Sequence, residues 1–356
     1  MASLRVALVG AGNISSYHLP AYAQFRDRVE LVAVCDLDEA LARRRARQAG
    51  VERVFTDVDS LLREVACDAL DVCVTHDQHA PIALAAIEAG RHVLVEKPFA
   101  LTLADCRELV TAAERVGVTL MVGQNQRFLP AHQATKAVIA AGELGAVRAA
   151  RSDSIQGWPP LIAAGHWQYD GARAGGGVVV NVAVHRIDLL RYLVGEIRRV
   201  SSAVCRTTHP YFVNGAEDYA AVTLDFENGA VGQLFATCSA FRTPWSEQFM
   251  IFGETGAIHA VPEPGQLRGP AFVATLSRSP GVAEWLDQFA GFEQLAKPDE
   301  LPTDSGQVNE ILHFAECCRT GAEPLSSGRD NIGTMKVVAG IYESARTERP
   351  VELARL

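Results

Sequence analysis

Over its first 123 residues the chain alternates short, uninterrupted apolar runs with longer amphipathic stretches, and no other feature limits its fold as much. The runs are residues 5–10 (RVALVG), 29–36 (VELVAVCD), 69–76 (ALDVCVTH), 91–98 (RHVLVEKP) and 119–124 (TLMVGQ). A strand that is apolar on both sides needs cover on both faces, which is the condition of a parallel sheet. The stretches between them, such as 38–50, 79–90 and 103–117, have helical composition, and Gly50 and Gly90 close two of them. With right-handed crossovers this pattern predicts a doubly wound parallel α/β sheet.

After Gln124 the pattern changes. Val222, Leu224 and Phe226 fall on one face of a strand and Thr223 and Asp225 on the other, and Asn228-Gly229 then turns the chain back. Alternation closed by Asn-Gly predicts a hairpin in a largely antiparallel sheet. Such a sheet can cover one face with helices and use the other for contact between subunits. Residues 262–304, rich in proline and glycine, read as loops, and helical patterns near 308–319 and 331–346 close the chain. The expected domains are residues 1–123 and residues 124–356, the second an α+β domain with a large, mostly antiparallel open sheet. The length of 356 residues suits two domains.

Lysine and arginine number 33 and aspartate and glutamate 42, so the net charge is 33 − 42 = −9. That balance argues against nucleic acid or an anionic membrane as a main partner, because both need basic patches. No run reaches the roughly 18 apolar residues of a membrane span. The opening MASLRVALVGAG reads as a first strand rather than a secretory leader. Eight cysteines are scattered without any C-x-x-C spacing, so no metal site is expected, and free thiols in this number fit a reducing cytoplasm. Cys35 and Cys73, inside apolar runs, read as small buried thiols.

Gly10-Ala11-Gly12-Asn13-Ile14-Ser15 directly follows the first apolar run. Gly10 permits a tight turn, and Gly12 lets the backbone approach a pyrophosphate lying on a helix start. Ser15, small like the usual third glycine or alanine, still allows close helix–strand packing. Asp36 closes the second run, where a carboxylate can accept both ribose hydroxyls. Leu37 follows it, with no group to receive a 2′-phosphate, so NAD is favoured over NADP. Arg43, Arg44 and Arg45 read as the solvated basic face of a helix.

Several of these residues together resemble the glucose–fructose oxidoreductase/inositol dehydrogenase (Gfo/Idh/MocA) family. The glycine loop runs into His18, as that family's loop often does. Thr75-His76-Asp77-Gln78-His79 stands where the family has T-P-N-x-x-H, and Glu96-Lys97-Pro98 matches its E-K-P signature. Gly175-Gly176-Gly177 followed by Asn181, His185 and Asp188 resembles its G-G-G-x-x-x-D-x-x-x-H-x-x-D segment, and IYESARTERPVEL resembles its closing helix and tail. The resemblance spans essentially the whole chain. It departs at His76, where the family usually has proline, and at Asn181, where aspartate is commoner. It implies a Rossmann dinucleotide-binding domain and a second domain for substrate and oligomer contact. It adds Thr75, His76, His79, Glu96 and Lys97 to the cofactor side, beside Gly10, Gly12, Asn13, Ile14, Asp36 and Leu37. It also implies an oxidoreductase working between NAD and a secondary hydroxyl of a sugar, cyclitol or related polyol, as a homodimer or homotetramer.

Oxidising an alcohol removes a hydride and a proton, and the protein must supply a base and a positive field. Lys97, at the carboxyl end of a parallel strand, can hold the hydroxyl oxygen and favour the developing alkoxide. On a helix, Asn181, His185 and Asp188 fall at i, i+4 and i+7 along one face, after a flexible triple glycine. An imidazole with its ordinary pKa near 6.5 suits proton exchange. The expected roles are His185 as acid/base, Lys97 as polarising group and Asn181 as a substrate contact, with proton removal by Lys97 as the alternative. Asp188 is expected to touch substrate and Arg127 to touch substrate or nicotinamide, an interdomain salt bridge being the alternative for Arg127. Trp158, and also His166-Trp167, can line a sugar pocket, with a packed loop aromatic as the alternative. His209, His259 and His313 suggest no site. Two other readings stay open: an NAD-retaining glycosidase or lyase that oxidises the sugar transiently, and a non-catalytic sensor of dinucleotide or sugar.

Overall fold

The computed structural model describes residues 3–159, 161–241, 246–262, 272–278, 292–296, 298 and 300–356. The chain divides into two compact units, Met1–Asn125 with Gly306–Met335, and Gln126–Ser305 with Lys336–Leu356.

The first unit is built from β1 (Leu4–Val9), α1 (Ser15–Gln24), β2 (Val29–Cys35), α2 (Glu39–Ala49), β3 (Val54–Phe55), α3 (Val58–Glu64), β4 (Ala69–Val72), α4 (His76–Glu88), β5 (His92–Glu96), α5 (Leu103–Val116) and β6 (Leu120–Gly123). Its six strands are all parallel, in the order β3-β2-β1-β4-β5-β6. The apolar runs become strands with both faces covered: β4 and β6 are buried throughout, and Cys35 and Cys73 lie buried at strand ends. Local chemistry fixes the helix starts. The side chains of Asp38, Asp57 and Thr102 accept the N–H groups of Leu41, Ser60 and Asp105 at the heads of α2, α3 and α5. Strand order reverses between β1 and β4, and ligands of such sheets bind at the carboxyl ends of the strands there.

The second unit contains α6 (Pro130–Ala140), β7 (Val147–Ile155), α7 (Gly171–Ala174), α8 (Val184–Val194), β8 (Ile197–Arg206), β9 (Tyr219–Phe226), β10 (Val231–Thr237), β11 (Ser246–Gly253), β12 (Gly256–Pro262), β13 (Phe272–Arg278) and β14 (Phe292–Gln294). The chain then forms α9 (Gly306–Thr320), α10 (Gly328–Thr347) and β15 (Val351–Glu352). One nine-stranded sheet runs β14-β13-β12-β11-β7-β10-β9-β8-β15, with β7–β10 its one parallel pair. The β9–β10 hairpin turns at Asn228-Gly229, where the Asn228 side-chain oxygen Oδ1 accepts the Ala230 N–H. Ala220, Val222, Leu224 and Phe226 are all buried, as the period-two alternation requires.

Two expectations change. The stretch read as loops contains β13 and β14, because the alternation in FVATLSR outweighs the flanking prolines and glycines, and Ala274 and Leu276 face the core. Residues 263–271 and 279–291 of that stretch lie outside the described residues. The compact units also differ in extent from the domains expected, since Gly306–Met335 packs with the first. Ser326 pairs with Val122 through its backbone carbonyl and its hydroxyl, and Gln124 donates to Asn331 at 2.9 Å. Among the described residues no helix is long and apolar enough to cross a membrane.

His132 on α6 is fully buried, with Nδ1 2.7 Å from the Gln126 carbonyl. Burial, and then the nearby Arg186 guanidinium, push its pKa down to about 3. Between pH 6.5 and that value the unfolded chain binds a proton that the folded protein refuses. Stability is therefore complete above about pH 6.5 and falls as pH drops, on the order of 1 kcal/mol per pH unit for this group. Urea unfolding between pH 7 and 4 should show this fall, and His132→Gln should flatten it.

Candidate active site

In the first unit, the loop after β1 is set by backbone contact. Gly10 has φ +98°, and a Cβ there would overlap the carbonyl of Cys73. A Cβ on Gly12 would instead meet open space. α1 begins at Ser15 with no side-chain cap and no acidic residue in its first turn. Ser15 is buried, its hydroxyl donating to the Gly12 carbonyl. An uncapped helix start behind an open glycine backbone is the cradle a pyrophosphate needs. Asn13 and Ile14 form the step between them.

Both oxygens of Asp36 are anchored, Oδ2 accepting the Ala11 N–H at 2.7 Å and Oδ1 the Asp38 N–H at 2.9 Å. Leu37, beside it, is 89 % exposed. Arg45 corrects the sequence reading: it is buried, not solvated, and donates to the carbonyls of Ala11 and Gly12. Its place on the inner side of α2 turns it toward the loop, whereas Arg43 stays exposed in a pair with Glu39.

On the other side of the switch point, Lys97 is half-buried directly after β5, and its peptide bond to Pro98 is cis. The groups expected to face cofactor here are largely engaged with the protein. Glu96 is buried and accepts the Lys97 N–H at 3.0 Å through Oε2, while Oε1 lies 3.2 Å from His18 Nε2. His79 is fully buried, Nδ1 2.7 Å from the Pro98 carbonyl and Nε2 3.3 Å from that of Val74, and burial lowers its pKa. His76 is buried at the head of α4, after Thr75, with its ring centroid 5.5 Å from that of His79. These side chains hold the turn that presents Lys97.

In the second unit the last two glycines of the triple are closely packed. Gly176 has φ +145°, and a Cβ on it would overlap the Tyr342 hydroxyl; one on Gly177 would overlap the Glu217 backbone. The buried Glu217 carboxylate accepts the N–H groups of Gly177 and Val179, at 2.9 and 2.8 Å, and the Tyr342 hydroxyl at 3.1 Å. Burial pushes its pKa up, against those hydrogen bonds. The first turn that follows, Val179–Ala183, is a π-helical turn leading into α8. Within it Asn181 is buried and its Nδ2 donates back to the Gly177 carbonyl at 2.8 Å, an insertion that widens a helix. Its amide also meets Gln168 at 3.4 Å. This inward turn does not favour the substrate contact expected of Asn181.

His185, in the first turn of α8, is half-buried, whereas its charged neighbours are fully buried and paired. Asp188 and Arg127 form a two-pronged ion pair at 2.7 Å, both inside this unit and with side chains 1 % and 4 % exposed. Neither the substrate contact nor the interdomain bridge expected of them is what the geometry supports, because a buried charge keeps its partner. Arg127 also lies over the Tyr192 ring, 5.4 Å from its centroid. Arg186 pairs with Glu247, which accepts from Gln126 and Gln156 as well. Trp158 is 6 % exposed, and its indole N–H is spent on Gln156 at 2.8 Å, so it is a packed residue. Trp167, half-buried with its ring 5.7 Å from that of the exposed His166, is the aromatic left near Gln168. Sequence reading missed Glu217, Tyr342, Arg186 and Glu247, whose partners lie far along the chain.

Two family models cover most of the sequence. One, described as an oxidoreductase family with an NAD-binding Rossmann fold, matches residues 4–124, and the Gfo/Idh/MocA C-terminal domain matches residues 132–259. The chain belongs to the Gfo/Idh/MocA oxidoreductase family. D-apiose dehydrogenase of Paraburkholderia graminis is 31 % identical over 98 % of this chain and 90 % of its own. The scyllo-inositol 2-dehydrogenase (NAD+) of Bacillus subtilis is 27 % identical over 98 % of this chain and 96 % of its own. Among solved structures, levoglucosan dehydrogenase in complex with NADH and levoglucosan aligns with a TM-score of 0.87 at 25 % identity, over 98 % of this chain and 99 % of that one. The Gfo/Idh/MocA assignment agrees with the glycine cradle and anchored Asp36 of the first unit.

The Gly177 contact yields a stability test. Gly177→Ala forces a methyl group into the Glu217 backbone and should cost about 3 kcal/mol or more. Urea unfolding checks it, and Gly12→Ala, facing open space, should cost far less.

Proposed function

We propose that the protein oxidises a secondary hydroxyl of a sugar, cyclitol or related polyol, reversibly, with NAD as hydride acceptor and with Lys97 and His185 handling the proton. The observation that carries this reading lies within one sheet. At its carboxyl edge stand an uncapped helix start with the anchored Asp36 on one side of the switch point and the Lys97 turn on the other. Gly10, Gly12, Asn13, Ile14, Asp36 and Leu37 would hold the dinucleotide at that edge. When bound, the nicotinamide accepts the hydride. The chain's own residues do the rest. The Lys97 ammonium holds the substrate oxygen and stabilises negative charge growing on it. The His185 imidazole takes the hydroxyl proton. Asn181 and Asp188 fix the helix that carries His185.

Asp36 supports NAD over NADP. Its two oxygens are each held by a backbone N–H, so the carboxylate cannot swing aside for a 2′-phosphate. The substrate class rests on relatives named for apiose, inositol and levoglucosan, and on the aromatic face of Trp167 with His166. Eight free thiols fit a reducing, cytoplasmic setting.

A screen of aldoses, cyclitols and anhydrosugars at 340 nm, with NAD and NADP in parallel, tests the reading. NAD should be preferred by roughly tenfold or more. With the best substrate, Lys97→Ala and His185→Ala should each lower kcat by roughly 10²-fold. Wild-type oxidation should rise with pH as the proton acceptor loses its own proton, and His185→Ala should lose that limb. Near-full turnover in either variant removes that residue from the pair. Substrate consumption without growth at 340 nm would point to an NAD-retaining lyase or glycosidase instead.

The second sheet also supports a homo-oligomer. Val204, Ala221 and Phe235 lie side by side across β8, β9 and β10, and Val231, Ala149 and Phe252 across β10, β7 and β11. Val204, Val231 and Phe252 are 47 %, 52 % and 38 % exposed. Light scattering after size exclusion should give a dimer or tetramer, and Val204→Lys with Val231→Lys should shift it toward monomer.

A further inference from the structure

Beneath the Lys97 turn, four elements of the first unit bring titratable groups together out of solvent. His18 and Tyr22 come from α1, Asp71 and Cys73 from β4 and the residue after it, Glu96 from β5 and Glu310 from α9. His18, Asp71 and Glu310 have no exposure, and Glu96 has 6 %. His18 Nδ1 is 2.8 Å from Asp71 Oδ2, and His18 Nε2 is 3.2 Å from Glu96 Oε1. The Tyr22 hydroxyl donates to the same Asp71 oxygen at 2.6 Å, and the Cys73 thiol to the other at 3.4 Å. The Cys73 sulfur is 3.6 Å from His18 Nδ1, and a Glu310 oxygen lies within 4.8 Å of both His18 and Glu96.

With both facing carboxyl groups ionised, the hydrogen-bond count favours a charged His18. A neutral imidazole carries one N–H, but here each ring nitrogen faces a carboxylate oxygen. Only the imidazolium donates to both. Asp71 is itself oriented by Tyr22 and Cys73, so the ring is held from the side away from Glu96. Glu96 uses its other oxygen for the Lys97 N–H. The chain of contacts therefore runs from Asp71 through His18 and Glu96 to the turn that presents Lys97.

We propose that His18 is a positioning residue, an imidazolium that bridges two buried carboxylates and thereby fixes Glu96 and the Lys97 backbone. Burial by itself disfavours the charged ring, but the adjacent Asp71 carboxylate outweighs it and holds the pKa of His18 well above 6.5. Without the imidazolium, the buried carboxyl groups of Asp71 and Glu96 would lose the donor that stands between them. Burial would then favour the protonated form of a carboxyl group there, and the Lys97 turn would lose the support of a charged Glu96. The proposal rests on the reading of Lys97 as the polarising group, but the charge state of His18 is testable without it.

The first measurement is nitrogen-15 NMR of histidine-labelled full-length protein. One buried imidazole, absent from His18→Gln, should show both ring nitrogens protonated at pH 7.5 and still at pH 8.5. A neutral tautomer at pH 7.5 overturns the proposal, whatever the enzyme's substrate. The second is kinetics with the best polyol of the screen. His18→Gln should lower kcat about tenfold with little change in the polyol KM, and its pH profile should gain an ionisation absent from wild type. Adding Glu96→Gln, which needs no counter-charge, should recover part of the loss and remove that ionisation. Wild-type kcat and pH profile in His18→Gln, beside a crippled Lys97→Ala, would sink the proposal alone. Full activity in Lys97→Ala would sink the reading of Lys97. If His18→Gln does not fold, wild-type spectra in which no imidazole stays doubly protonated at pH 8.5 still overturn the proposal.

Discussion

The loop after β1 and the helix bearing His185 each depend on backbone lying against backbone at a glycine. At Gly10 the chain passes so close to the carbonyl of Cys73 that no side chain fits. That contact brings the loop after β1 against the residues after β4, at the point where strand order reverses. At Gly177 the same kind of contact, with the backbone of Glu217, sets the origin of the helix bearing His185. Neither position uses glycine for mobility. Each fixes a loop at a separation shorter than any Cβ allows, and the hydrogen bonds around it then add direction. Asp36 orients Ala11 and Arg45 takes the loop carbonyls; Glu217 takes the amides of Gly177 and Val179.

The sequence made one layer of this legible and hid another. Apolar runs and their spacing predict five of the six parallel strands, because burial on both faces leaves a composition signature that needs no partner to read; the two-residue β3 has no such run. The β9–β10 hairpin is legible for a similar local reason, since Asn228-Gly229 carries its own turn chemistry. The supports of the site are not local. Asp71 lies 53 residues from His18, Glu217 lies 40 from Gly177, and Glu247 lies 61 from Arg186. A lone buried charge looks in sequence like a surface charge, and only the fold shows what faces it. Arg45 is the clearest case, an arginine in a run of three that alone turns inward. The same cause hid the partners of Arg127, Asp188 and Trp158, polar or aromatic residues near the expected site that hydrogen-bond one another or Gln156. The strands β13 and β14 were hidden differently, by prolines and glycines around a short alternating run.

Buried ion pairs are expensive, and their cost argues for a purpose other than stability. Removing two charges from water costs several kcal/mol per ion, and apolar replacements of similar volume are often as stable or more so. Yet α8 carries Arg186 and Asp188 inward, each with its own partner, on a helix otherwise packed by Val184, Ile187, Leu189 and Leu190. A purely apolar helix of this kind could rotate or slide by a residue with little penalty. Two charges bound to partners on different elements forbid that, since any slip would strand both. What the pairs specify is the rotation of α8, and with it the direction of His185.

The same arrangement recurs around Lys97 by different means. There the carrier is a turn rather than a helix, and its supports are Glu96, His79 and the imidazole of His18. In both units the group proposed to meet substrate is half-buried, while the polar groups behind it are fully buried. That gradient follows from the work each group has to do. A proton-handling group must reach solvent or substrate, so it cannot be locked by burial of its own. Its orientation has to be imposed from behind, by groups whose hydrogen bonds cannot exchange with water. A support exposed to solvent would lose that grip, because water competes for each hydrogen bond at little cost. Burial of the supports is therefore a condition of precision at Lys97 and His185, and the price is a set of charges that must be satisfied inside the protein.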